Sequence, residues 1–397
     1  MVLRFDYINF LKRTKDKQII KVITGIRRCG KSTLLEMFQA YLLEEGVEQK
    51  QIQWLNFEDL AQEELNNYRK LYDYLNANLV PNKKNYIFLD EIQRVDGFEK
   101  TLDSLFIKDN VDLYVTGSNA YMLSGELATF LSGRYIEVHM LPLSFWEYYS
   151  YVGGDKVVAF GHYLERGGFP FAIQLSDETT YRGYIEGIIH SVLIKDVLSR
   201  KQRSDAVLVE QLAKFLTDTA GNQISVKKIA DTLTSMGQKT TSETVAGYLM
   251  AFQEAFLFYR CDRYDIVGKR YLSIHSKYYP ADQSLRRGLL GTKRPNFGNR
   301  LESIVFLELI RRGYEVYIGT IGDLEIDFVA IQGGITEYYQ VSLTVQEEKT
   351  FEREVAGLKK IKDNYRKILL TQDMGSYNED GIEQMNVIDW LLRVKGF

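Results

Sequence analysis

The stretch Gly25-Ile-Arg-Arg-Cys-Gly-Lys-Ser32 constrains this chain most. It has the spacing of a phosphate-binding P-loop: a glycine, four residues, then Gly-Lys-Ser. An apolar strand over Ile19 to Thr24 is predicted before it. An amphipathic helix carrying Leu34, Leu35, Phe38 and Leu42 is predicted after it. A triphosphate needs several backbone amides converging on it without side chains in the way, and glycines permit that turn. The helix N-terminus adds partial positive charge at the same point. Lys31 supplies a full charge for the β- and γ-phosphates, and Ser32 a hydroxyl ligand for Mg2+. Gly25, Arg28, Gly30 and Thr33 complete the expected nucleotide-binding set. Either Arg27 or Arg28 touches phosphate or a partner, or both face solvent.

Tyr86-Ile-Phe-Leu-Asp-Glu91 reads as a buried strand ending in two acids, the Walker B pattern. A parallel sheet presents such terminal acids at its carboxyl edge, where ligands bind. Asp90 is expected to hold Mg2+, directly or through water. Glu91 is expected to orient and deprotonate an attacking water. Asp112 to Asn119 predicts another strand ending in polar residues. There Asn119 or Ser118 contacts the γ-phosphate or the water, or Gly-Ser-Asn is simply a turn. Arg134 precedes a strand over Tyr135 to Met140. It reads as an arginine finger reaching a γ-phosphate in its own chain or a neighbour's, or as a surface arginine paired with an acid.

Together with Leu141-Pro-Leu-Ser-Phe-Trp-Glu147, these segments occur in the order seen in a large prokaryotic family of AAA-type ATPases, which the chain resembles. In that family a P-loop domain is fused to a C-terminal domain of unknown function, and the family is related to archaeal AAA-type ATPases. The resemblance implies an α/β P-loop NTPase fold of the additional-strand class, with a parallel sheet in the order 5-1-4-3-2. It also implies ATP as the nucleotide and Mg2+ as its metal. The domain is expected over residues 1–150.

Beyond it, Gly167-Gly-Phe-Pro170 breaks the helical pattern, and Tyr181 to Leu198 has a helical period. Residues 151–205 therefore read as helical; they resemble the lid-like helices that cover a nucleotide in AAA-type proteins, though helical packing alone explains the pattern. Residues 206–280 read as a winged helix: three helices, the second N-capped by Ser225, then a hairpin over 256–261 and 270–274. No Lys or Arg lies between 241 and 259, while the hairpin carries Arg260, Arg263, Lys269 and Arg270. Phosphate neutralisation dominates DNA affinity, so the third helix is a poor DNA reader. A packing or partner-binding role is expected in its place.

Residues 281–397 predict a helix from Leu301, then three strands, then helices from Phe351. This layout resembles the PD-(D/E)xK nuclease core. Glu302, Asp327 and Gln340 fall where that fold keeps its metal-binding groups. Ser342 stands where the motif has its lysine, so a degenerate fold used for binding or assembly is expected. Lys349 is a candidate substitute from a neighbouring element.

A net charge of −3 removes any global nucleic-acid-coat signature, so DNA contact would need a local patch. Two cysteines make a disulfide framework improbable and fit a reducing, cytoplasmic setting. Neither a membrane span nor a signal-peptide apolar region is expected. The leading expectation is an Mg2+-dependent ATPase acting as a switch or motor. The alternatives are an ATP-gated DNA-binding regulator and a metal-dependent nuclease. Self-association or a protein partner is expected if Arg134 acts across an interface.

Overall fold

The computed structural model describes residues 2–120, 131, 133–198, 205–291, 297–375 and 378–393. Ser132, two residues before Arg134, lies outside the described residues. The chain packs as two units: residues 3–140 with 254–256, and residues 141–253 with 257–397.

In the first unit, β1 (Ile20–Thr24), β2 (Ile52–Asn56), β3 (Asn85–Asp90), β4 (Val111–Gly117) and β5 (Tyr135–His139) form one parallel sheet. The strand order is β2-β3-β4-β1-β5, the expected 5-1-4-3-2 read from the other edge. All residues of β1, β3 and β4 are buried. Strands covered on both faces lose the in–out alternation and read as continuous apolar runs, which is why these three were legible. The core includes Val22, Ile87, Leu89, Leu113 and Val115 from the strands. Leu71 and Leu75 come from the helix Tyr68–Ala77, and Leu102 and Leu105 from the helix Phe98–Phe106.

The second unit carries an eight-stranded sheet in the order β12-β13-β11-β10-β9-β8-β6-β7. Its strands are β6 (Phe258–Asp265), β7 (Arg270–Pro280), β8 (Glu315–Ile321), β9 (Leu324–Gln332), β10 (Ile335–Val341), β11 (Arg366–Thr371), β12 (Asn378–Glu379) and β13 (Ile382–Asn386). The hairpin expected as a wing is β6–β7, and β6 pairs in parallel with β8. The border expected at 280/281 therefore runs through one sheet. Local patterning reveals a hairpin but not which strand its outer edge finds.

Side chains alternate across this sheet. Phe328, Tyr339, Ile368 and Leu370 pack with Leu301, Val305 and Leu309 of the helix Phe297–Arg311. Val329, Tyr338 and Leu369 pack with Val355 and Leu358 of the helix Glu348–Lys360. The period of two puts one set on each face. The helices Ala206–Asp218, Val226–Ser235 and Ser242–Glu254 match the three expected, and Ser225 accepts from the Lys228 amide at 3.2 Å as the N-cap. Among the described residues no helix is long and apolar enough to cross a membrane.

Candidate active site

β1, β3 and β4 all run toward one edge of the first sheet, and the chain turns there immediately after each. After Thr24 the backbone bends at Gly25, whose φ is +146°. A Cβ at Gly25 would lie 2.1 Å from the Met140 carbonyl oxygen, so the loop can leave β1 here only as glycine. Arg28 and Gly30 also take positive φ, at +68° and +104°, and the helix Lys31–Glu44 begins at once. This points a helix N-terminus into the turn.

Lys31 is buried. Its ammonium donates to the carbonyls of Gly25 at 2.9 Å and Ile26 at 3.4 Å, and lies 3.6 Å from the Glu91 carboxylate. The Ser32 hydroxyl donates to Asp90 Oδ2 at 2.6 Å. Thr33 follows, half-buried on the helix. Outside the loop, Arg4 donates to the Cys29 carbonyl at 2.9 Å. Arg27 pairs with Glu58 at 3.1 Å, and Arg28 is exposed.

Glu91 follows β3 with φ +54°, a conformation that costs a non-glycine residue about 1–3 kcal/mol and recurs at functional sites. Its neighbours hold it there. Its amide donates to the Thr116 hydroxyl at 3.0 Å, and that hydroxyl donates to Asp90 Oδ1. Glu91 Oε2 accepts from Gln93 at 2.6 Å and from Ser118 at 2.9 Å. Burial pushes the Asp90 carboxyl above its ordinary value, partly countered by the hydrogen bonds from Ser32 and Thr116. Burial acts on Glu91 in the same sense. There the charges of Lys31 and Arg27 and the bonds from Gln93 and Ser118 outweigh it, and the net shift is downward. Glu91 is therefore an anion poised beside a cation.

Asn119 is buried at the end of the same stretch. The loop residues, Asp90, Glu91 and Asn119 thus share one sheet edge. Arg134 does not. Its carbonyl accepts from the Ile20 amide at 2.9 Å, at the start of β1. The phosphate loop follows the other end of that five-residue strand, about 16 Å away at ~3.3 Å per residue. The guanidinium pairs with Asp103 and stands over the Phe106 ring, 5.6 Å from its centroid. The placement puts Arg134 at the far end of β1 from its own loop, paired with an acid as the surface-arginine alternative expects.

Sequence reasoning missed Thr116, Gln93 and Arg4. A polar β-branched residue closing an otherwise apolar run was the available signal for Thr116. Nothing local marked Arg4.

In the second unit, Asp327 donates its amide to Gln340 Oε1 at 3.3 Å, and Glu302 accepts from Lys277 at 2.8 Å. Lys349, the expected substitute, is exposed. Among the described residues no three His, Cys, Asp or Glu side chains are grouped to hold a metal ion.

Fold and loop define the class, and the comparisons agree with it: the chain belongs to an AAA-type P-loop ATPase family. A family model described as an AAA domain matches residues 17–149. One described as a domain of unknown function (DUF8612) matches residues 158–296. An uncharacterized protein of Haemophilus influenzae is 39% identical over 403 residues, covering 99% of each chain. An uncharacterized protein of Methanocaldococcus jannaschii is 29% identical, covering 93% of this chain and 85% of its own. A Walker-type ATPase of Pyrococcus abyssi has a similar fold. It has a TM-score of 0.50 and 17% identity, and the match covers 73% of this chain and 96% of that one.

Proposed function

We propose that this protein binds ATP with Mg2+ and hydrolyses it to ADP and phosphate. The carrying observation is the convergence of Ser32 on Asp90 at 2.6 Å and of Lys31 on Glu91 at 3.6 Å, at the mouth of the loop. The neighbouring hydroxyl and carboxylate oxygens of Ser32 and Asp90 suit a hard divalent cation, so these two residues would hold Mg2+. When bound, that ion neutralises phosphate charge. Lys31 binds the β- and γ-phosphates once it turns from the carbonyls of Gly25 and Ile26. Glu91 orients the attacking water and accepts its proton, while Ser118 and Gln93 set the direction of its carboxylate. Asn119 contacts the γ-phosphate or that water. Gly25, Arg28, Gly30 and Thr33 shape the cradle.

The test is ATP turnover and binding by the full chain. Lys31→Ala should lose binding. Glu91→Gln should still bind a fluorescent ATP analogue while turnover falls by about 10^2-fold or more, the range a general base supplies. Turnover unchanged in Glu91→Gln sinks the assignment.

Self-association is the partner reading the geometry favours over DNA contact. Arg134 stands on the edge away from its own loop, so a finger role needs a second chain.

A further inference from the structure

Glu302 and Glu325 contact one buried lysine of β7, and the charge of Asp327 acts on it as well. The Lys277 ammonium lies 2.8 Å from Glu302 Oε1 and 2.6 Å from Glu325 Oε1, and the residue is only 2% exposed. The remaining ligand atoms are largely committed as well. Glu302 Oε1 also accepts from the Tyr279 hydroxyl at 2.6 Å. Glu325 Oε2 accepts from the Gln223 amide. Asp327 Oδ2 accepts from the Val341 amide at 2.8 Å. Gln340 spends its oxygen on the Asp327 amide and its nitrogen on Glu354, at 2.8 Å. Ser342, at the position where a nuclease would carry lysine, donates to the Thr344 carbonyl at 3.1 Å.

Burial opposes the charge on Lys277, but Glu302, Asp327 and Glu325 outweigh it and hold the ammonium well above its ordinary value. A divalent ion coordinates carboxylate oxygens at roughly 2.0–2.6 Å. It would have to displace Lys277 from its partners, and a buried charge stripped of its partners is expensive. The turn between the helices Ala206–Asp218 and Val226–Ser235 lies over this cluster. Gly221 has φ +80°, and a Cβ there would come 3.1 Å from Glu302 Oε2. Asn299, one helical turn before Glu302, donates to the Ala220 carbonyl at 2.7 Å.

We propose that Lys277 is a built-in cation: its ammonium takes the place of a divalent metal among Glu302, Glu325 and Asp327, and the cluster fastens the turn 220–223 to the sheet. The cluster is a clasp, and cleaves no phosphodiester bond. This inference does not depend on the ATPase reading. It also makes a specific demand, that removing the ammonium uncovers a cation site.

The test uses the full chain without nucleotide and MnCl2 as the probe, followed by thermal melting and titration calorimetry. The wild-type melting temperature should not rise with MnCl2, and its Mn2+ isotherm should be the same in Asp327→Asn. Lys277→Met should melt lower and regain at least half of that loss in MnCl2. Lys277→Met combined with Asp327→Asn should regain none. Wild-type Mn2+ binding, or Mn2+-dependent DNA cleavage, that disappears in Asp327→Asn overturns the proposal. A folded Lys277→Met indifferent to Mn2+ overturns it too. Should Lys277→Met fail to fold, the wild-type and Asp327→Asn isotherms decide.

Discussion

Lys21 and Asp112 form an ion pair inside the first sheet with no side-chain exposure at either partner. Each has a further tether: Lys21 donates to the Lys17 carbonyl at 3.0 Å, and Asp112 accepts from the Tyr114 hydroxyl and the Asp16 amide, both at 2.8 Å. Burial pushes the Lys21 ammonium down and the Asp112 carboxyl up, so each is sustained by the other. Removing one partner of such a pair strands a buried charge, at a cost of about 3–5 kcal/mol. Asp112→Ala should lower the melting temperature of the full chain by several degrees, read by circular dichroism. Lys21→Met with Asp112→Leu should recover most of the loss, because an apolar pair leaves no orphan charge. A double variant as unstable as Asp112→Ala would show that the pair is not what matters. Neither residue stood out in the sequence as a core member, since each is a lone charge in an apolar strand.

Elements here are joined by carboxylates that cap two things at once. Asp282 is the N-cap of the helix Gln283–Leu290, accepting from the Ser284 amide at 2.9 Å. It also accepts from the Gly168 amide at 2.7 Å. A Cβ at Gly167 would lie 1.8 Å from Asp282 Oδ1, which explains the Gly167-Gly-Phe-Pro170 breaker better than chain flexibility does. Asp282→Ala leaves two buried amides without an acceptor, each worth about 1–3 kcal/mol. Hydrogen exchange should speed up at Gly168 and Ser284 together, and exchange unchanged at Gly168 would break the link. The breaker was legible in the sequence. Its partner 114 residues away was not, because an N-cap pattern names only the helix it starts.

At the scale of the molecule, the loop and the Arg134 edge belong to opposite ends of one sheet. If Arg134 completes a neighbour's site, two defective chains complement each other. Lys31→Ala has no working loop but keeps its arginine, and Arg134→Ala has the reverse. Mixing them should give more ATP turnover than the sum of the separate preparations, rising with protein concentration. Strictly additive turnover at every ratio, with Arg134→Ala as active as wild type, would remove the finger role.

Periodicity and motif spacing by themselves determined the phosphate loop, the acid pair at the end of β3 and most strands of the first sheet. The reason is that each is set by neighbours close in sequence: a glycine turn, a run of buried apolar residues, a strand terminus. Only the tertiary structure decided that Arg134 lies at the far end of β1 from its own loop, that the β6–β7 hairpin belongs to the C-terminal sheet, and that Lys277 is buried against Glu302 and Glu325. Those outcomes turn on which strand edges pair and which charges are buried together. Such long-range choices leave no trace in local residue patterns.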